Sequence, residues 1–134
     1  MATKTECYVD TSAFIAFLDR SDSFHTLFGR LFSSPPPLYT SSLVIAEGHG
    51  WFLRRYDWGK ATQFLAFIDA LPNLTVRGFD GLDLPGVTRI IKKFSDQNLT
   101  LADAHGLAIM RERPINCCWS TDRHLGLDGV PRVV

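Results

Sequence analysis

Cysteine is scarce in this 134-residue chain. Cys7, Cys117 and Cys118 form an odd set with no C-x-x-C pair, which leaves a zinc cluster or a disulfide framework poorly supported and suits a reducing cytosol. An excess of either charge is also missing. Fourteen Lys+Arg balance fourteen Asp+Glu, so no global field announces a nucleic-acid partner and any such contact falls to local patches. No apolar run approaches the ~18 residues of a membrane span. The opening Met1-Ala2-Thr3-Lys4-Thr5-Glu6 lacks the apolar core of a secretory signal. A cytoplasmic protein without membrane contact is the expectation. The four histidines, His25, His49, His105 and His124, share no ligand spacing and are read as packing, capping or surface residues. There is no internal repeat and no low-complexity linker beyond Pro35-Pro36-Pro37. The remaining composition, 46% hydrophobic and 21% charged, is that of one globular domain over 1–134 with a core of its own.

Short apolar runs alternate with helical ones. Glu6 to Val9 reads as a strand ending at Asp10, and Thr11 or Ser12 can cap a helix over Ala13 to Leu18. A second helix is expected from Asp22 or Ser23, with Leu27, Phe28, Leu31 and Phe32 on one face. Leu38-Tyr39-Thr40 is a brief strand, and Ser41 or Ser42 caps a helix through Phe52. Gly48 and Gly50 weaken that helix by roughly 1 kcal/mol each, so something else must favour them. Lys60 to Leu71 is a further helix with Phe64, Leu65, Phe67 and Ile68 inward, and Leu74-Thr75-Val76 a strand. Val87 to Phe94 and Leu101 to Met110 are helices. Ile115 to Trp119 is a buried strand, followed by a short polar helix and a terminal strand over Val130 to Val134. Such alternation predicts an α/β domain with a mainly parallel sheet, whose sites lie beyond the carboxyl ends of the strands. Two strands there deliver acids to one rim: Tyr8-Val9 into Asp10, and Cys118-Trp119 through Ser120-Thr121 into Asp122.

Two more acids have apolar neighbours one turn away. Glu47 has Leu43, Val44, Gly50 and Trp51 at those offsets, and Asp103 has Leu99, Thr100, Gly106 and Leu107. Both are therefore expected on or beside apolar helix faces, where a carboxylate needs a cation, a donor cluster or a metal. Gly50 and Gly106 would remove bulk beside them for a ligand. Plainer readings stand alongside. Asp10 and Asp122 suit helix caps, and Asp103 can close a capping box with Thr100. Capping does not explain Glu47 in mid-helix. Asp96 is read as a surface ion pair with Lys92 and Lys93.

Four blocks then carry a resemblance. The hydrophobic-Asp-Thr-Ser-Ala-Phe start, Thr40-Ser41-Ser42-Leu43-Val44-Ile45-Ala46-Glu47, Leu99-Thr100-Leu101-Ala102-Asp103-Ala104 and Ser120-Thr121-Asp122-Arg123-His124 resemble the PIN-domain ribonucleases. Among these the likeness is to VapC-type toxins of toxin–antitoxin pairs. The resemblance implies a single three-layer α/β domain with helices on both sides of a short sheet. It makes Asp10, Glu47, Asp103 and Asp122 the acidic cluster, with Asp10 and Asp103 as direct Mg2+ or Mn2+ ligands. Asp122 and Glu47 would complete a second site or act through water, with Thr11 and Ser120 in support. Leu125-Gly126 departs from the Phe that relatives often carry, at a position that packs rather than reacts.

Carboxylates suit hard divalent cations that bridge to phosphate oxygens, so the implied reaction is hydrolysis of RNA phosphodiesters by water, with no covalent intermediate. The resemblance also implies a cognate antitoxin whose tail covers the site, and a homodimer. Trp51, Phe52 and Trp58 are candidates for an interface and equally for the core. Arg89, Lys92 and Lys93 are the candidate RNA patch. Three rivals remain at this stage. Val9-Asp10-Thr11-Ser12-Ala13 also resembles the D-T-[GS]-A element of aspartic proteases, an all-β fold using a carboxylate dyad. A haloacid-dehalogenase-like phosphatase would need an acid where Ser12 stands. A catalytically silent module binding RNA or protein is the third.

Overall fold

The computed structural model describes residues 5–134. Strands and helices alternate along it: β1 (Cys7–Val9), α1 (Thr11–Leu18), α2 (His25–Ser33), β2 (Leu38–Ser41), α3 (Ser42–Arg55), α4 (Trp58–Ala70), β3 (Leu74–Arg77), α5 (Leu84–Lys93), α6 (Leu101–Glu112) and β4 (Cys117–Trp119), closed by a 3-10 turn over Arg123–Gly126. The strands form one parallel sheet in the order β3-β2-β1-β4. The chain thus adds strands in one direction from β1 to β3, then returns to the far side of β1 for β4. Winding reverses between β1 and β4, where an α/β sheet opens a crevice beyond its carboxyl ends. Val9 lies opposite Trp119 in the ladder. Asp10 and Ser120 therefore leave the sheet side by side, and the Asp10 N–H adds one more rung to the Trp119 carbonyl at 3.0 Å.

Helices cover both faces, giving the expected three layers. Tyr8 turns towards α6 and fills the space beside Gly106, where a Cβ would stand 2.8 Å from its hydroxyl oxygen. Trp119 turns the other way and meets Phe32 of α2 edge-on, with ring centroids 5.0 Å apart. Phe14, Phe17, Phe32 and Phe67, from α1, α2 and α4, interlock on that side. All three β1 residues are buried, as a parallel strand covered on both faces should be. Six helices around a parallel sheet exclude the all-β protease reading. None of the helices among the described residues is long and apolar enough to cross a membrane.

Several expectations shift for physical reasons. Gly48 is small because α4 crosses there: a Cβ would sit 2.7 Å from the Phe64 ring. Gly50 has only the Arg54 guanidinium nearby. α4 starts at Trp58 rather than Lys60, because Asp57 accepts from the Lys60 N–H at 2.8 Å and caps the earlier turn. α2 starts at His25, since Asp22 spends its carboxylate on the Phe24 N–H in a turn before it. The terminal strand is reduced to one bridge, Arg132 to Cys118. Pro131 lacks an N–H, so no ladder extends through it. Phe52 is core, Trp51 half-buried and Trp58 74% exposed, while Leu65 points outward. Asp96 accepts from the Gln97 amide and forms no ion pair with Lys92 or Lys93.

Candidate active site

Asp10 stands at the N-cap position of α1, yet its side chain caps nothing. Its Oδ2 instead accepts hydrogen bonds from Ser12 Oγ and Ser120 Oγ, both at 3.0 Å. The residue is buried, and burial pushes the carboxyl up to about 6; the two hydroxyls and the Thr11 amide pull it down, while the Asp103 charge adds a little upward. The serines also tie two segments together. Their oxygens lie 3.2 Å apart; Ser12 Oγ accepts from the Thr121 N–H at 3.0 Å and Ser120 Oγ from the Asp122 N–H at 2.9 Å. Ser12 escaped the sequence reading. Its signal was the two-residue spacing from Asp10 that also separates Ser120 from Asp122.

Asp103 and Asp122 do what the plainer readings said, and more. Asp103 closes a capping box: its N–H donates to Thr100 Oγ1, and its Oδ2 accepts from the Thr100 N–H, both at 3.1 Å. Asp122 Oδ1 accepts from the His124 N–H at 2.9 Å and caps the 3-10 turn. Each cap fixes its carboxylate, and the fold turns the two towards one another. His124 stands with them, its Nδ1 3.2 Å from Asp122 Oδ1 and 3.7 Å from Asp103 Oδ2. One donor atom from each of Asp103, Asp122 and His124 falls within 4.8 Å of the others. Beside the packing-or-surface reading of His124, the structure thus puts its ring next to both acids. Sequence spacing hid it because its neighbours come from α6 and from the turn after β4.

The other expectations part here. Glu47 is exposed, not on the buried face of α3, and its side chain forms no hydrogen bond or ion pair among the described residues. Its charge still bears on the wholly buried Tyr8 hydroxyl, as do those of Asp10 and Asp103. Gly106 makes room for Tyr8 rather than for a ligand. Tyr8 Oη and Thr11 Oγ1 are buried without a hydrogen-bond partner. Oxygen donors of this kind, beside unused hydroxyls and a carboxyl raised by burial, fit a hydrated divalent cation. A second constellation does not make a site. Ser41 Oγ lies 2.6 Å from His105 Nδ1, and His105 Nε2 lies 4.0 Å from Asp83 Oδ2, but Ser41 is wholly buried and caps α3.

The model of the PIN domain family matches residues 7–127. The chain belongs to the PIN-domain family. Solved structures share the fold. The PIN domain described here superposes on the Mycobacterium tuberculosis VapC20, a sarcin-ricin loop cleaving toxin, with a TM-score of 0.83 at 24% identity, covering 92% of this chain and 95% of that one. PAE2754 from Pyrobaculum aerophilum gives a TM-score of 0.67 at 21% identity, covering 99% and 93%. VapBC2 from Rickettsia felis, bound to a DNA fragment from its promoter, gives 0.59 at 13% identity, covering 95% and 94%. No curated protein matches the sequence. At these identities the structural likeness is one of fold, and the site of this PIN domain has to be argued from its own residues.

Proposed function

We propose that this PIN domain is a divalent-metal-dependent ribonuclease, hydrolysing RNA phosphodiester bonds, and that it is the VapC-type toxin of a toxin–antitoxin pair. The observation that carries the reading is the gathering of Asp103 and Asp122, with the buried Asp10 tied to the Asp122 turn through Ser120, where the sheet's winding reverses. The VapC20 and VapBC2 structures support the toxin assignment through the shared fold. Asp10, Asp103 and Asp122 would hold Mg2+ or Mn2+, and Glu47, from its exposed position, would act through water. A cation there makes a water easier to deprotonate and offsets charge at the scissile phosphate. Ser12 and Ser120 hold Asp10 Oδ2 between two donors, the supporting role assigned to Ser120. Thr11, next to Asp10, has a buried hydroxyl without a hydrogen-bond partner and is proposed to support it. The biological setting belongs to the same proposal: a cytoplasmic homodimer, silenced by a cognate antitoxin that covers the acids.

Asp103→Asn tests it, because an amide oxygen can still accept from the Thr100 N–H and keep the capping box. The expected result is RNA cleavage by the wild type with Mn2+ or Mg2+, abolished by excess EDTA. In the variant it falls by more than about a hundredfold, since losing a direct ligand should exceed the 10–100-fold typical of outer-shell residues. Full cleavage by the variant, or in EDTA, contradicts the proposal.

A further inference from the structure

His124 lies between the two acids, and its place is fixed before any ligand arrives. Its backbone N–H is held by Asp122 Oδ1 at 2.9 Å, and the next residue, Leu125, is wholly buried and anchors the turn. The imidazole Nδ1 then stands 3.2 Å from Asp122 Oδ1 and 3.7 Å from Asp103 Oδ2. Around an octahedral ion with bonds of ~2.1 Å, neighbouring donor atoms are ~3.0 Å apart and opposite ones ~4.2 Å. Both distances fall inside that range, and one donor atom from each of the three residues lies within 4.8 Å of the others. The Tyr8 hydroxyl is a further unpaired polar group and feels the charges of Asp10 and Asp103. It is wholly buried and partnerless on the same side of the sheet, two residues before Asp10 and against α6 one turn beyond Asp103.

We propose that His124 is a direct nitrogen ligand of the cation and that it sets the ion preference, towards Mn2+ and away from Mg2+. This rests on the metal-dependent reading above. Mg2+ takes oxygen donors almost exclusively and dehydrates reluctantly, whereas imidazole is a good donor to transition-series ions. A site of carboxylates alone would accept either ion; a nitrogen in the set separates them. The competing account is a protonated imidazole paired with both carboxylates, which would leave the ring out of the coordination sphere.

The test uses the whole chain loaded with Mn2+ alone, comparing wild type with His124→Ala and His124→Gln. Circular dichroism and thermal melting establish that the variants fold. Both keep the backbone N–H that Asp122 holds. Electron spin-echo envelope modulation of the bound Mn2+ is expected to show directly coordinated 14N in the wild type and to lose it in both variants. Calorimetric titration is expected to show Mn2+ affinity falling at least ~tenfold, with Mg2+ affinity changed less. Tight Mn2+ binding without 14N coupling overturns the proposal and leaves the metal-dependent reading standing. No Mn2+ binding by the wild type overturns both. Should both variants fail to fold, 14N coupling in the wild type still decides the ligand, since no other described histidine lies in the trio.

Discussion

Asp10 concentrates the electrostatic strain of the site in one side chain. Its carboxyl is raised to about 6 from an ordinary 3.8, burial first among the causes, so the native state holds this proton more tightly than the unfolded chain does. Stability from this group is complete below about pH 4 and is lost as pH rises through 6. In EDTA at pH 7, Asp10→Asn is expected to stabilise the protein by up to about 3 kcal/mol, and the gain should vanish near pH 4. Urea denaturation at the two pH values measures it; a variant less stable than wild type at pH 7 refutes this account of Asp10. Legibility at this scale was uneven. Asp10 and Ser120 could be read because each directly follows a strand. Glu47 was misjudged because apolar neighbours at helical offsets do not fix a face. The buried line of α3 is Val44, Gly48 and Phe52, and Glu47 lies a step of about 100° off it. His124 could not be found by spacing, since only the fold brings it to α6.

Within the elements, caps and close approaches decide what propensity leaves open. Gly48 lowers the intrinsic stability of α3 and is kept because Phe64 of α4 occupies the space of a side chain. Gly48→Ala gains roughly 1 kcal/mol of helix propensity. It should nonetheless destabilise the fold by up to about 2 kcal/mol net, the usual cost of overpacking being about 1–3. Adding Phe64→Leu should recover part of that loss in a double-mutant cycle, and simple additivity would show that the two do not meet. The strands and helices were visible as apolar runs, but their ends were set by single side chains. Asp57 and Asp22 moved two helix starts, and Pro131 stopped the last strand. The capping readings of Asp103 and Asp122 were correct. A cap is also a means of holding a carboxylate still.

For the molecule as a whole, the fold gathers Asp103, Asp122 and His124 from α6 and the turn after β4, and the reversal of winding beside β1 ties Asp10 to that turn through Ser120. The order of strands, which apolar alternation does not reveal, is what makes that gathering possible. With no net charge, the proposed RNA substrate would have to be held by local cations, and Arg89, Lys92 and Lys93 are exposed on one helix, α5. Reversing all three should flatten the dependence of log K for single-stranded RNA on log salt by about two units, at roughly 0.7 per phosphate contact. An unchanged slope would assign RNA binding to another face. The central claim is that the gathered acids bind a divalent cation, and a crystal soaked in Mn2+ tests it most directly. An anomalous peak at the manganese edge is predicted in contact with carboxylate oxygens of Asp10, Asp103 and Asp122; a well-soaked crystal with no peak there contradicts the account.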